Sequence, residues 1–436
     1  MASRPPTEPP RGMRDILPAE AELRDAAAGV ILTVYRRHGF RRIETPALES
    51  LQLLTGGDGG DNEKLVFKVL KRGEKLDLGA AVTEADLTDL GLRFDLTVPL
   101  ARYYAHNQGK LPDPLRAVQI GPVWRAERPQ RGRYRQFTQC DIDILGVASE
   151  IAEIELILAT TEALGALGLD GLTVRINDRR LLTAMASWCG FAPERHASVF
   201  ITLDKWDKVS PGEIRGELEQ AGHPPAAIAR LMDLYAQTAL VHGLDAMRTH
   251  LGNPGADGAF EALTRTIEAV STAAGGRFGI AFDPTLVRGM GYYTGPIFEI
   301  RSSSFAGGSI AGGGRYDGMI GGLLGRLVPA TGFSIGFERV VDILGRMPTR
   351  ATSGDKRLAL LFDEAAPELG GVLRAAQELR DQGYLVALER RARNAGAQRA
   401  MLEKGGYDGV ATMSPEGRPS VRSFADRAGR PSRSQS

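Results

Sequence analysis

The sequence predicts an α+β domain followed by a small α/β domain. Three observations lead to this prediction: a long hairpin is predicted within residues 116–146, amphipathic helices flank the predicted strands, and strands alternate with helices after a polar linker. The chain has 436 residues, which suits two or three domains at roughly 150 residues each. We assign residues 1–345 to the first domain, 346–355 to the linker and 356–436 to the second domain.

The first predicted helix follows a proline-rich start, for which we expect disorder. Apolar residues recur three and four positions apart along this helix and define one face, made of Leu23, Ala26, Ala27, Val30, Ile31 and Val34. A short strand broken at Pro46 follows, so the chain opens with helix, strand and proline. A second amphipathic helix is predicted over residues 149–168.

A strand that enters a turn is predicted at residues 64–73. Residues 91–100 are apolar with Asp95 and Thr97 embedded, and a helix through Arg102 is expected after them. The long hairpin surrounds the polar sequence RPQRGR. Residues 180–272 have a helical pattern interrupted by prolines, which predicts a helical insertion within the first domain. Strand-like sequence then resumes and ends with a strand and a helix over residues 332–344. Beyond the linker, the alternation of strands and helices predicts a separate sheet.

The composition is that of a soluble globular protein, with 43% hydrophobic and 25% charged residues and a net charge of +1. It excludes an intrinsically disordered chain, a collagen-like rod and a disulfide scaffold. Cys140 and Cys189 lie far apart without metal-ligand spacing, so we expect two reduced, buried thiols. No run of about 18 apolar residues and no signal-peptide pattern occurs. The sequence therefore predicts a cytoplasmic protein with no membrane partner.

The densest functional signal is the segment GPVWRAERPQRGRYRQFTQCDIDILG, residues 121–146. From Gly121 to Arg135 it carries five arginines and one acidic residue, Glu127, with aromatic residues among them. Arginine can bind phosphate oxygens in a bidentate manner, and an aromatic ring can stack on a base. A solvated basic hairpin tip is the alternative. Neither a P-loop nor a G-x-G-x-x-G turn nor HExxH occurs, so nucleotide binding would need other means.

The strand after this loop alternates in polarity. One face carries Phe137, Gln139, Asp141 and Asp143, and the other carries Cys140, Ile142 and Ile144. We expect the apolar face to lie in the core. The polar face fits either a ligand site beside the arginines or a water-facing sheet surface, and the alternation alone leaves both open.

Three more segments are candidates for a site. In VRGMGYYTGPIFE (287–299), Tyr292 and Tyr293 are predicted to point to opposite faces of a strand, so that one lines a pocket and the other packs. The glycines of AGGGRYDG (311–318) imply tight backbone, either at the floor of a site or at a turn. Arg339, in GFSIGFERV, falls in the first turns of a helix, where a lone arginine is usually a surface charge.

Taken together, these segments resemble the class II aminoacyl-tRNA synthetases, and specifically the histidyl-tRNA synthetase family. The opening helix, strand and Pro46 resemble motif 1, WRAERPQRGRYRQF resembles motif 2, and GFSIGFERV resembles motif 3. LVRGMGYYTGPIFE and AGGGRYDG are similar to the family's two histidine-specific signatures, and RGMRDILP is similar to its opening segment. The resemblance covers nearly the whole chain. It implies a mixed, mostly antiparallel catalytic sheet and an anticodon-binding C-terminal domain.

The resemblance also implies an activity, the ligation of histidine to tRNA(His), with ATP and L-histidine as substrates. The ATP-binding residues that it implies are Arg125, Glu127, Arg133, Tyr134, Phe137 and Arg339. The histidine-binding residues that it implies are Asp95, Leu96, Thr97, Arg125, Gln139, Asp143, Arg288, Tyr292 and Tyr293. Arg125 and Arg288 are the implied catalytic residues at the α-phosphate, Phe137 stacks on adenine, and Asp143 accepts from the imidazole. No side chains are assigned to a metal, because Mg²⁺ is expected to bind with the ATP phosphates.

The resemblance further implies a homodimer formed through the motif 1 region.

One departure from the family concerns the signature R-G-x-D-Y-Y, because Gly291 stands where the aspartate is expected. Either Asp141 or Asp143 compensates, or histidine is bound differently in detail. Two alternatives stay open: a regulatory subunit of ATP phosphoribosyltransferase that does not charge tRNA, and an adenylating paralogue that charges another acceptor.

The C-terminal region is basic. From Arg390 to Ser436 there are ten Lys and Arg residues against four acidic ones, a local balance of +6. Such a balance is typical of a surface that binds a phosphate backbone. We expect disorder beyond about Asp426. Gln130 and Arg131 in the hairpin loop are candidates for reading the 5′ end of the tRNA.

Overall fold

The structure is a computed structural model, and it describes residues 7–56, 62–79, 81–129, 133–240, 243–252, 256–288, 292–347, 356–363, 369–414 and 418–425. By its contacts the chain divides into two compact units. The first comprises Met1–Ile16 and Ala27–Met347, and the second comprises Leu17–Ala26 and Pro348–Ser436. The sequence analysis had assigned all of residues 1–345 to the first domain.

Among the described residues, the strands are β1 (Arg41–Arg42), β2 (Leu48–Ser50), β3 (Phe67–Leu70), β4 (Thr88–Leu92), β5 (Leu115–Trp124), β6 (Gln136–Leu145), β7 (Leu172–Asp178), β8 (Gly279–Phe282), β9 (Pro296–Ser302), β10 (Ala311–Arg315), β11 (Ala330–Ile335), β12 (Arg357–Phe362), β13 (Leu385–Arg390), β14 (Gly409–Met413) and β15 (Pro419–Ser423).

The described α-helices are α1 (Pro18–Arg37), α2 (Leu51–Thr55), α3 (Glu84–Leu87), α4 (Thr97–Asn107), α5 (Ile151–Ala166), α6 (Arg179–Cys189), α7 (His196–Leu203), α8 (Pro211–Gln220), α9 (Pro225–Leu240), α10 (Leu244–Leu251), α11 (Asp257–Ala274), α12 (Asp317–Leu324), α13 (Phe337–Leu344), α14 (Leu369–Asp381) and α15 (Ala395–Lys404). Within the described ranges, no helix combines the length and the apolar character that crossing a bilayer requires.

The main sheet of the first unit has eight strands within the described residues, in the order β1-β5-β6-β11-β10-β9-β7-β8. The two outer pairs, β1–β5 and β7–β8, are parallel. The five inner pairs are antiparallel. The predicted α+β fold with a mixed, mostly antiparallel sheet is therefore confirmed.

Strand β6 has an apolar face and a polar face, and helices cover the apolar one. Cys140, Ile142 and Ile144 are fully buried, because helix α5 contacts β6 and β11 and helix α11 packs on α5. A buried ion pair ties α5 to β10: Arg315 Nε lies 2.7 Å from Glu153 Oε1, and Arg315 Nη2 lies 2.9 Å from Glu153 Oε2. With helices on this face, the face of β6 that carries Asp141 and Asp143 is left to form a cavity.

Two further parts of the first unit border the main sheet. A three-stranded sheet in the order β2-β4-β3 precedes α4. Helices α6 to α11 occupy the segment from Arg179 to Ala274, where the sequence analysis expected a helical insertion over residues 180–272.

The second unit has its own sheet, in the order β13-β12-β14-β15 within the described residues. Strand β12 pairs in parallel with β13 and β14, and β15 is antiparallel to β14. Leu358 and Leu360 of β12 pack on Val372, Ala376 and Leu379 of α14. The predicted small α/β domain is therefore confirmed, and the expected disordered tail beyond Asp426 lies outside the described residues.

Candidate active site

A cavity of about 500 Å³ lies on the side of the main sheet that carries Asp141 and Asp143. Its walls come from β6, β10 and β11, from the start of α4 and from the first turn of α13. Phe137, Gln139, Asp141 and Asp143 all line it, so the polar face of β6 faces a cavity and not an open water surface.

The cavity brings together almost all of the predicted site residues. Those that line it are Asp95, Thr97, Arg125, Glu127, Arg133, Tyr134, Phe137, Gln139, Asp143, Arg288, Tyr292, Tyr293 and Arg339. Leu96 is the exception among the predicted residues. Its side chain is 1% exposed and lies in the core, and its carbonyl accepts a hydrogen bond from Gln119 Nε2 at 3.1 Å. Leu96 therefore does not form part of the cavity wall.

Three buried carboxylates form one group of cavity residues: Asp95, Asp141 and Asp143. Asp95 Oδ1 accepts from the backbone N–H of Val98 at 3.1 Å, which holds it at the start of α4. Among the described residues, Asp141 Oδ1 and Gln139 Oε1 are buried acceptors without a hydrogen-bond partner. Unpaired buried acceptors are costly, so a ligand that donates several N–H groups would stabilise this part of the cavity.

The pKa values of these acids reflect their burial. Burial raises the pKa of Asp143 to about 7; the hydrogen bond from Tyr316 opposes this shift, and the charge of Asp95 adds to it. Burial also raises the pKa of Asp141 well above its ordinary value, and the charge of Asp143 adds to that shift. The pKa of Asp95 is raised too, mainly by burial. An ammonium group bound here would favour the ionised carboxylates.

Asp143 is oriented by two neighbours. The Tyr316 hydroxyl donates to Asp143 Oδ1 at 2.6 Å. Asp143 pairs with Gly332 across β6 and β11, and a Cβ atom at Gly332 would lie 2.0 Å from Asp143 Oδ1. Any larger residue at position 332 would displace the carboxylate, so glycine leaves the space that the carboxylate occupies.

A second group contains the arginines Arg133, Arg288 and Arg339. Arg339 Nη1 donates to the Ser309 carbonyl, and Arg288 Nη2 donates to Ser309 Oγ. Burial lowers the pKa of Arg339, and the positive charges of Arg288 and Arg133 lower it further. Like charges held together in a partly buried wall indicate a site for an anion that offsets their repulsion.

Arg125 lies beside the ring that the sequence analysis assigned to adenine stacking. Arg125 Nε donates to the Phe94 carbonyl at 3.0 Å, and its guanidinium carbon lies 5.0 Å from the centroid of Phe137. Arg133 Nη1 lies 3.4 Å from Glu127 Oε2. These contacts arrange an aromatic face and guanidinium groups around one space, a combination that suits the base and the phosphates of a nucleoside triphosphate.

The prediction for the tyrosine pair was wrong in one respect. Tyr292 and Tyr293 precede β9 and do not lie on a strand, so the alternation of faces does not apply to them. Both line the cavity, with ring centroids 4.5 Å apart. Burial raises the pKa of both phenols, which therefore stay neutral and able to donate.

Sequence reasoning missed several residues of the site. Tyr316 follows the glycines of AGGGRYDG, which form β10 in the cavity floor and not a turn. Glu338 Oε1 accepts from the Thr138 backbone N–H at 2.9 Å, and Glu338 Oε2 accepts from Arg14 Nη2 at 3.2 Å. The guanidinium of Arg14 lies 4.8 Å from the ring centroid of Tyr134, so the opening segment contacts the cavity wall.

Two expectations concern residues outside the described ranges. These are the substitution at Gly291 and the loop candidates Gln130 and Arg131. In the described part of the chain, no group of three or more His, Cys, Asp and Glu side chains is arranged to hold a metal ion.

Comparisons with known proteins agree with this geometry. A family model described as histidyl-tRNA synthetase matches residues 12–340. A histidine–tRNA ligase of Leifsonia xyli subsp. xyli is 49% identical over 408 residues, which are 89% of this chain and 91% of that protein. A protein of Aeropyrum pernix with the same name is 39% identical over 337 residues, covering 77% of this chain and 73% of that one.

Solved structures show the same fold. The histidyl-tRNA synthetase of Nostoc sp. PCC 7120 superposes with a TM-score of 0.76 at 25% identity, over 98% of both chains. A structure titled as an ATP phosphoribosyltransferase regulatory subunit/histidyl-tRNA synthetase from Bacillus halodurans C has a TM-score of 0.74 at 24% identity, and it covers 94% of this chain and 99% of that one. The second likeness supports the fold alone. From the family match and the extent of the sequence identity, the chain belongs to the histidyl-tRNA synthetase family.

Proposed function

We propose that this protein is a histidine–tRNA ligase: it activates L-histidine with ATP and transfers the histidyl group to the 3′-terminal adenosine of tRNA(His). The main observation that supports the proposal is the set of side chains that line the cavity. One space holds an arginine group suited to phosphates and a group of buried carboxylates and phenols suited to the donors of histidine. The curated relatives, at 49% and 39% identity, bear the name of this activity.

The histidine subsite uses hydrogen bonds on both ends of the amino acid. Asp95 and Thr97, with Gln139, are proposed to bind the ammonium group. Asp143, with Oδ1 engaged by Tyr316, has Oδ2 to accept from the imidazole N–H. Tyr292 and Tyr293 close the pocket as neutral phenols. Hydrogen-bonding pockets reject analogues that lack the matching group by roughly 10⁴–10⁵.

The nucleotide subsite is proposed to comprise Phe137, the motif 2 residues Glu127, Arg133 and Tyr134, and Arg339. Phe137 stacks on adenine, and Arg339 holds the terminal phosphate. Mg²⁺ enters as part of the nucleotide substrate and offsets phosphate charge, with the phosphates as its main ligands.

The first step is an in-line displacement. A carboxylate oxygen of histidine attacks the ATP α-phosphorus, the bond from that phosphorus to the bridging oxygen breaks, and pyrophosphate leaves. The attacking carboxylate and the triphosphate are both negatively charged, so the barrier is largely electrostatic. Arg125 and Arg288 are proposed to stabilise the charge that develops on the α-phosphate. In the second step the terminal ribose hydroxyl of tRNA attacks the histidyl carbonyl, and AMP leaves.

A charging assay tests the proposed function. The purified full-length chain is incubated with labelled histidine, ATP and total tRNA, with an ATP-free reaction as control. We expect ATP-dependent transfer of the label to tRNA. Histidine-dependent ATP–pyrophosphate exchange without charging would identify an adenylating paralogue, and the absence of both would contradict the proposal. The alternative of a regulatory subunit is not favoured by the comparisons.

The tRNA is proposed to bind the basic surface of the second unit. Arg391 and Arg393, just after β13, are both exposed. We expect the double variant Arg391→Glu/Arg393→Glu to raise KM for tRNA about tenfold or more, because each lost phosphate contact weakens binding and flattens its salt dependence. ATP–pyrophosphate exchange should stay unchanged. Arg374→Glu on α14 is a control charge reversal at one exposed site outside the basic run. It should be compared with the single variant Arg391→Glu, and an equal effect of the two would contradict a specific tRNA surface.

The protein is further proposed to act as a homodimer through the motif 1 region. On the three-stranded sheet next to that region, Leu48 of β2 and Leu90 of β4 are exposed, which suits an interface between two copies. Light scattering at micromolar concentration should therefore give about twice the chain mass of 46.9 kDa. A mass of one chain would contradict the dimer.

Because the reaction needs tRNA and ATP, the proposed compartment is the cytoplasm.

A further inference from the structure

Three arginines converge on one carboxylate beside the cavity. Arg175 Nη1 donates to Glu299 Oε1 at 2.8 Å, and Arg301 Nε donates to the same oxygen at 3.0 Å. Arg288 Nε donates to the other oxygen, Oε2, at 3.1 Å. Of the three arginines, Arg288 lines the cavity, and Glu299 itself does not. Glu299 can therefore influence a ligand only through the side chain that it holds.

The two oxygens of Glu299 have different roles. Arg175 lies opposite Glu299 in the register of β7 and β9, and Arg301 lies two residues along β9, so both approach Oε1 from the sheet. They fix the plane of the carboxylate, which leaves Oε2 directed at Arg288. The Glu299 side chain is 8% exposed, and such low exposure prevents water from competing for these contacts.

Glu299 is charged in this environment. Burial would raise the pKa of Glu299, but Arg288, Arg175 and Arg301 more than offset this, and the pKa lies below its ordinary value. The carboxylate is therefore ionised at neutral pH, and its hydrogen bond to Arg288 is charge-assisted.

Arg288 needs such support for two reasons. A free arginine side chain samples many rotamers, and Arg288 also faces the positive charge of Arg339. Both effects favour a guanidinium that swings away from the cavity. Glu299 and Ser309 oppose this movement from two sides. Gly312 provides the remaining space, because a Cβ atom there would lie 2.0 Å from Arg288 Nη1.

The same cluster reaches the helical segment. Asp207, between α7 and α8, accepts from Arg175 Nη1 at 2.7 Å and also from Arg301 Nη2. Asp283 accepts from Arg175 as well. These two acids hold Arg175 and Arg301 in place, and neither of them lines the cavity.

We propose that Glu299 is a positioning residue for amino-acid activation, which holds the guanidinium of Arg288 in the orientation that stabilises the α-phosphate in the transition state. This inference rests on the proposed function and deepens it. The binding of histidine and ATP involves many other side chains, so the loss of Glu299 affects the chemical step more than substrate affinity. A misplacement of about 1 Å can lower a rate by up to about 100-fold.

The test compares Glu299→Gln with Arg301→Gln in histidine-dependent ATP–pyrophosphate exchange. We expect Glu299→Gln to lower kcat by about 10–100-fold with KM for both substrates within about threefold. Arg301→Gln removes one of the two donors to Glu299 Oε1 but leaves Arg175 on that oxygen and Arg288 on Oε2. Its kcat should therefore stay within about threefold of the parent. Equal losses in the two variants would show a merely structural role and overturn the proposal.

A double-variant cycle gives the sharper result. In an Arg288→Ala background, adding Glu299→Gln should lower kcat no further, because the group that Glu299 positions is already absent. A second loss that multiplies the first would overturn the inference. Should Glu299→Gln not fold, as judged by circular dichroism, Glu299→Asp retains the charge with a shorter reach. We expect that variant to show an intermediate loss, and full activity would contradict us. Absence of exchange in the parent protein would instead refute the proposed function.

Discussion

Replacing Arg339 by alanine lowers histidine-dependent ATP–pyrophosphate exchange by about 100–1,000-fold, if this side chain holds the terminal phosphate of ATP and stabilises the leaving pyrophosphate as proposed. The estimate follows from the loss of one preorganised donor, which costs about 2.7–4 kcal/mol in comparable sites. Arg339 lies on the first turn of α13, and the Ser309 carbonyl holds its guanidinium in place. Its side chain therefore does not have to rearrange when the substrate binds. Its partial burial makes its charge more effective than that of an exposed arginine.

A matched control lies on the same stretch of chain. Arg346, just after α13, is an exposed arginine whose ion pair with Asp342 measures 3.9 Å. Such surface pairs contribute little to stability, so Arg346→Ala should leave exchange unchanged. If Arg339→Ala retained the parent rate, or if both variants lost activity equally, Arg339 would have no specific role at the phosphates.

Replacing Asp143 by asparagine raises KM for histidine by about 10–150-fold, the equivalent of a lost charge-assisted hydrogen bond of 1.5–3 kcal/mol. Asparagine has nearly the same shape and still offers an acceptor to Tyr316, so the pocket should stay intact. KM for ATP should not change, because the contacts proposed for ATP lie on other side chains. A KM for histidine equal to that of the parent would contradict the proposed imidazole contact.

The same residue predicts a pH dependence. The pKa of Asp143 is raised to about 7, so its carboxyl takes up a proton as the pH falls through that value. The protonated form no longer accepts from the imidazole N–H, and KM for histidine in the parent should rise as the pH falls from about 8 to about 6. An amide does not titrate in this range, so Asp143→Asn should show a flatter profile. Equal slopes in the two proteins would assign the titration to another group.

Local patterns in the sequence predicted part of the site. The alternation along residues 137–144 identified the core face of the strand correctly, because a strand directs alternate side chains to opposite faces whatever its partners are. It did not decide whether the polar face lines a cavity or faces water. The motif 2 arginines and Arg339 could be assigned from short, ordered segments. Leu96 was expected at the site only from the family resemblance. It stands between two cavity residues, but its side chain lies in the core at the start of α4.

The remaining features of the site depend on strand register and on contacts between residues that are far apart in the chain, so they could not be predicted from the sequence. Tyr316 meets Asp143 across 173 positions, and the space for that carboxylate exists only because Gly332 lies opposite it. Likewise, Glu299 meets Arg175 from 124 positions away, and only the pairing of β7 with β9 makes them neighbours. No local periodicity carries such information.

The central claim is that a single cavity activates histidine with ATP. The most direct measurement is ATP–pyrophosphate exchange by the purified full-length protein with each of the twenty amino acids in turn. We expect exchange with histidine and no exchange above background with the other amino acids. Exchange at a similar rate with another amino acid, or no exchange with histidine, would contradict it.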